Sequence, residues 1–313
     1  FFETLEENAI ARADGTVRMG PDGEQLPVYV LENGVDLNQM IQKFLTGAIA
    51  FHQGADDYLD SDTEGKGLLA DTAVAEGQSY TGVEHAWDEA FGYFGASRDY
   101  FMYTDDELAG AGGRPEYGSG YHDTDGDGQI DLLTEFNFGH AVNAAKRDRG
   151  SNVPTDFTAE AYNAFFEGRA ILAAANGEPL NPQFLMRVET LRDRALLAWE
   201  KAIASTVVHY INDTLQVMNA FGTDDYDFLD HAKFWSEMKG FALVFQFNPF
   251  SPITDDQFDD LHELMGDAPV LADAGSEAID AYKVDLLSAR DILQQAYAFD
   301  EANMGDENGE NGW

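Results

Sequence analysis

The chain has 313 residues, 44% hydrophobic and 12% aromatic, enough apolar material for one large folded domain or two medium ones. Against 18 Lys and Arg stand 58 Asp and Glu, a formal charge of -40 that excludes attraction to nucleic-acid backbones and anionic lipid heads and suits divalent cations or salty water. The absence of cysteine removes disulfides, thiolate metal sites and a thiol nucleophile, and no run approaches ~18 apolar residues, so no membrane span is expected.

Few of the basic residues are Lys, and an acid-rich, lysine-poor surface predicts a marine or halophilic source. The opening Phe1-Phe2-Glu3, without methionine, reads as a chain whose leading segment has been removed. That predicts export to the periplasm or the cell surface, with a lipid anchor as one form of attachment.

In chain order, residues 1–35 read as an N-terminal arm or hairpin. Two short extended runs, 16–19 and 26–31, flank the turn Gly20-Pro21-Asp22-Gly23. From residue 36 the pattern turns helical, with Leu37, Met40, Ile41, Phe44, Leu45 and Ile49 on one face. Further helices are predicted near 80–97, 104–110, 135–148, 157–175, 183–221, 226–247, 255–265 and 276–299. Thr104 with Glu107, Thr254 and Ser276 supply start signals, and Gly177 and Gly222 supply stops. As one helix the stretch 185–221 would run about 55 Å at ~1.5 Å per residue. Residues 300–313, acidic and rich in Gly and Asn, read as a disordered tail.

The expected fold is a mostly α, duplicated helical bundle, with units at 36–150 and 151–299. The duplication rests on Trp87, Glu89, Gly92 and Tyr93, which recur in register as Trp235, Glu237, Gly240 and Phe241. Upstream, Ala48-Ile49-Ala50 with His52 and Asp56 parallels Ala202-Ile203-Ala204 with His209 and Asp213.

Two constellations carry chemistry. The first, at 123–135, is Asp123, Asp125, Asp127, Gln129 through its carbonyl, and Asp131, with Gly128 at the turn and Ile130 apolar. This is the oxygen spacing of a calcium loop, here expected as a structural staple. Position twelve is Thr134 and the expected acid is displaced by one residue to Glu135, so either the loop departs from the standard form or another carboxylate closes it. In the second, His85, Asp88 and Glu89 stand at i, i+3 and i+4 of a helix, one nitrogen and two oxygens that suit iron, zinc or manganese. The alternative is a packed histidine held by a carboxylate. With His52 from the same unit, and His209 and Glu237 from the other, these residues would converge across a pseudo-twofold into one transition-metal site for iron, zinc or copper. His122, His140, His231 and His262 read as surface or core residues.

The same residues carry a resemblance. Gly82-x-x-His85-x-x-Asp88-Glu89 is similar to the Gly-x-His-x-x-Glu signature of imelysin-like helical proteins of bacterial envelopes, with one residue inserted after Gly and Asp at the Glu position. The run from His85 to Gly95, joined by Trp235-Ser236-Glu237 and Phe247-Asn248-Pro249, resembles more closely the neighbouring family called domain of unknown function 4856. The resemblance implies an exported, two-bundle protein or lipoprotein, linked in part of the family to iron uptake with an envelope transporter or receptor. The peptidase activity for which imelysin was named has no local signature here, since His-Glu-x-x-His and Gly-x-Ser-x-Gly are both missing. Non-catalytic metal binding for acquisition is therefore the leading expectation. An imelysin-type hydrolase and a polysaccharide-binding or adhesive module are the alternatives, and the last requires an exposed groove with Trp87, Tyr93 or Trp235.

Overall fold

The structure is a computed structural model and describes residues 1–74 and 76–313. It is mostly helical: among the described residues there are ten α-helices and no strand, only isolated antiparallel bridges. In order these are α1 (Phe2–Ala13), α2 (Leu37–Thr46), α3 (Gly82–Phe94), α4 (Asp105–Leu108), α5 (Gly139–Gly150), α6 (Phe157–Ala175), α7 (Pro182–Asn219), α8 (Phe228–Ala242), α9 (Asp255–Met265) and α10 (Ser276–Tyr297). Among the described residues no helix is long and apolar enough to cross a membrane.

The predicted helices from α2 onward are present, and three of their starts carry reciprocal capping boxes. Thr104 with Glu107 and Thr254 were expected starts; Thr254 takes Gln257 as its partner, and Thr81 with Glu84 opens α3 in the same way. Two details differ from expectation. Ser276 is the first helical residue of α10 behind the N-cap Gly275, with no side-chain cap, and α5 begins at Gly139 because residues 131–135 are taken up by the acidic loop. Beyond α2 the chain continues in wider π-type turns at Gly47–Phe51 and Gln53–Tyr58.

The N-terminal segment differs from expectation in its first residues, while the turn at 20–23 is present, with the Leu26 N–H donating to the Arg18 carbonyl at 2.9 Å. Residues 2–13 form α1, which buries no side chain and so shows no apolar stripe. Helix-forming residues, Glu3 in the first turn and Arg12 in the last suit it to a helix all the same. Asn8 donates to the Val28 carbonyl at 3.0 Å. Extended pairing is confined to single bridges at Met19–Gln25 and Val30–Asp36. The expected disordered tail is also corrected. Trp313 is buried against Phe299, and Asn212 donates to the carbonyls of Met304 at 3.0 Å and Trp313 at 3.2 Å. One aromatic anchor and a buried amide outweigh the acidic composition that suggested disorder.

The chain divides into two compact units, Phe1–Leu45 with Ala204–Phe245 and Ile253–Trp313, and Thr46–Ile203 with Gln246–Pro252. The expected boundary at 150 is thus replaced by divisions after Leu45, inside α7 after Ile203, and on either side of Gln246–Pro252; within α7 a continuous helix carries no composition change to mark it. In the second unit Trp199 packs on Phe51 and Phe94, at ring separations of 5.0 and 5.3 Å, and its indole N–H donates to His140 Nδ1 at 2.8 Å. Trp87 donates to the Phe165 carbonyl at 2.8 Å. In the first unit Trp235 ties α8 to α9 and α10, donating to the Tyr282 hydroxyl at 2.7 Å and the Met265 carbonyl at 3.2 Å.

Candidate calcium loop and the His85 helix

The loop is closed at its base by the bridge Tyr121–Phe136, whose rings stack at 5.5 Å. Within it Asp123 accepts the amides of Gly126 at 2.7 Å and Gly128 at 2.8 Å, winding the chain around its carboxylate. Glu135 comes inward on a turn in which its N–H donates to the Asp131 carbonyl at 2.8 Å, and its side chain is buried although most of the loop is exposed. Its carboxylate accepts the Asp131 amide at 2.9 Å and the Thr124 amide and hydroxyl, each at 2.7 Å. The Asp131 amide first, then Thr124, bring its carboxyl down to about 2.

One carboxylate oxygen from each of Asp123, Asp125 and Glu135 lies within 4.8 Å of the others, and among the described residues this is the one such group of three. The acid that converges is therefore Glu135, one place beyond the standard closing position. Asp127 and Asp131 instead accept the amides of Gln129 and Leu133, at 2.7 and 2.8 Å. Hard oxygen donors without nitrogen or sulfur suit calcium.

On α3 the three expected ligands take different partners. His85 Nε2 pairs with Glu89 Oε1 at 2.8 Å, its ring stacks on Tyr80 at 5.2 Å, and the Tyr58 hydroxyl bonds to Glu89, which pushes that phenol up. Asp88 turns to α6, where Arg169 Nε donates to it at 2.8 Å while Nη1 donates to Glu84 at 2.6 Å. The reason is angular: i+3 and i+4 fall about 100° apart on opposite sides of residue i, so two carboxylates flanking one histidine can be drawn to separate neighbours.

His52 lies in the second unit with His85, Asp88 and Glu89, and faces Asp56 at 3.5 Å. His209 and Glu237 belong to the first unit. His209 faces Asp213 at 3.4 Å, and buried Glu237 pairs with Lys43 at 3.0 Å. The repeated Glu therefore has unlike partners, His85 for Glu89 and Lys43 for Glu237, while both tryptophans are buried and donate to a carbonyl of a facing helix. His140 and His231 are buried core groups and His262 is half-buried; burial lowers them to about 3, 4 and 4, and His122 stacks on Tyr117.

Trp87 and Trp235 are each 1% exposed, so neither ring is itself an open platform, but Trp87 lines a groove in the second unit. With Trp87 and Asp88, that groove takes side chains unmarked by the sequence reading: Arg98, Leu133, Tyr162, Phe166 and Arg169 around Phe91. No motif joins them, because they come from three separate segments. Only the Thr81-x-x-Glu84 capping box beside them was a readable local signal.

Fold and site place the chain among mostly α proteins of two helical units, one of which carries an acidic loop. More particularly, residues 2–108 match the family described as domain of unknown function (DUF4856), a stretch that runs from α1 through α4 and includes the run 85–95 on which that resemblance was read. The match ends before loop 123–135. No curated protein and no solved structure matches the chain.

Proposed function

We propose that this is a non-catalytic metal-binding protein of the bacterial envelope, exported or lipid-anchored, in which loop 123–135 takes calcium as a structural staple. The observation that carries the reading is the convergence of Asp123, Asp125 and Glu135 within a loop that also has calcium-loop spacing. Calcium there would neutralise carboxylates drawn together in a chain of charge -40. The second part of the reading is a role in acquiring iron, zinc or copper. Its support is the solvent-facing His85–Glu89 pair and the resemblance to imelysin-like proteins, which also makes an envelope transporter or receptor the expected partner.

The test is metal analysis of protein purified without chelator, then calorimetric titration with calcium and with each transition metal. The wild type should bind calcium, lose it in Asp123→Ala with Asp125→Ala, and keep it in His85→Ala with Glu89→Ala. The second variant should lose the transition metal. No calcium uptake at about 1 mM would end the loop reading. Calcium binding without iron, zinc or copper would end the acquisition reading and leave the staple.

A further inference from the structure

The second unit carries a groove of about 460 Å³ between α3, α6 and loop 123–135. Its lining is aromatic. Phe91 meets Tyr162 and Phe165 edge to face, Tyr162 stacks on Phe166 at 6.2 Å, and Leu133 enters from the acidic loop. Phe166 is 64% exposed and Leu133 90% exposed. Exposed apolar side chains gathered in a concavity, on a surface otherwise dominated by acids, mark a place where a ligand recovers the cost of their hydration.

The same groove holds a positive charge with no assigned partner. Arg98 is exposed, and among the described residues its guanidinium makes no ion pair and no hydrogen bond, although acids outnumber bases 58 to 18 in this chain. Its backbone is tied to both walls: the Arg98 N–H donates to the Thr134 carbonyl at 3.0 Å, and the Tyr162 hydroxyl donates to the Arg98 carbonyl at 3.3 Å. The other cation in the lining, Arg169, is already bound by Glu84 and Asp88, and it offsets the one acid of the groove. What remains is one planar cation beside an aromatic slot.

We propose that this groove binds a small hydrophobic carboxylate, its aryl or acyl body against Phe91, Tyr162, Phe166 and Leu133 and its carboxylate on Arg98. A guanidinium matches a carboxylate in bidentate geometry, and aromatic walls accept either a ring or a methylene chain. A single free cation suits a monoanion better than a phosphate, and Tyr162, Asp88 and Arg169 already spend hydrogen bonds within the protein, which leaves a sugar few partners. A surface of charge -40 repels free anions, so an anion site here has to supply its own cation, and Arg98 does so.

The test is calorimetry on the full chain at about 0.15 M salt with 4-phenylbutyrate and octanoate as probes, and 4-phenylbutanol and octanol as their neutral counterparts. Each carboxylate should bind about tenfold tighter than its alcohol. Arg98→Ala should abolish that preference, and Phe166→Ala should weaken all four; both side chains are exposed, and unchanged thermal melts would show both variants folded. Whichever body binds better, aryl or acyl, identifies the class within the proposal. The proposal is overturned if neither carboxylate binds at about 5 mM by calorimetry and by saturation-transfer NMR, or if the preference survives Arg98→Ala.

Discussion

Arg169 Nε donates to Asp88 Oδ1 at 2.8 Å, joining α6 to α3 across 81 residues of sequence. That bond, reinforced by Arg169 to Glu84, turns Asp88 away from the His85–Glu89 pair on the same helix. Burial raises the Asp88 pKa and the guanidinium opposes the rise, so the carboxylate depends on Arg169 as its counter-ion.

Replacing Arg169 by Met should free Asp88 toward His85 and Glu89. Zinc affinity at α3, followed by competition with a chromophoric chelator, is expected to rise about tenfold or more, with a stability loss of roughly 1 kcal/mol for a partly exposed pair. Unchanged or weaker zinc binding would show that these three side chains do not act together.

Glu135 links acid stability to the loop. Its folded pKa is depressed from 4.5 to about 2, so its contribution is fully present above the unfolded value and is lost as pH falls from about 4.5 toward 2. Glu135→Gln should therefore melt below wild type at neutral pH, with the gap closing across that window. A gap that stays constant down to pH ~2 would mean the carboxylate charge contributes nothing.

Gly168 lies against the Trp87 ring, where an added Cβ would sit 2.0 Å from a ring carbon. The indole is itself held by its bond to the Phe165 carbonyl, so it has no free direction of retreat. Gly168→Ala should cost about 2–4 kcal/mol in urea unfolding, as overpacking between two fixed elements does. A loss under about 0.5 kcal/mol would show that α3 and α6 separate easily.

The C-terminal segment should behave as part of the first unit. Asn212→Ala removes the donor shared by the Met304 and Trp313 carbonyls and the acceptor of Arg290 Nη1, and should cost about 2–3 kcal/mol. Amide exchange across 300–313 should accelerate in that variant. Rapid exchange of the same amides in wild type would contradict the packing of Trp313.

Much of the helix pattern was readable because it is local. Leu37, Met40 and Phe44 recur at helical spacing, and the Thr104 and Thr254 boxes lie within one turn of the residues they cap. α1 escaped because it buries no side chain and thus lacks the apolar stripe by which a helix is recognised. The spacing of the loop's acids was readable for the same local reason, whereas the convergence of Glu135 with Asp123 and Asp125 needed the folded loop.

By itself the sequence determined the helical class, the acidic surface and the spacing of the loop carboxylates, since each depends on composition or on residues within a few positions of one another. Tertiary structure alone decided that Asp88 goes to Arg169, that Asn212 holds the C-terminal segment, and that Arg98, without a counter-ion among the described residues, lines one groove with Phe166. Those outcomes depend on which helix faces meet. A side chain's partner across 80 or 90 residues follows from packing shape and from desolvation of the charges that packing encloses, and no local spacing encodes either.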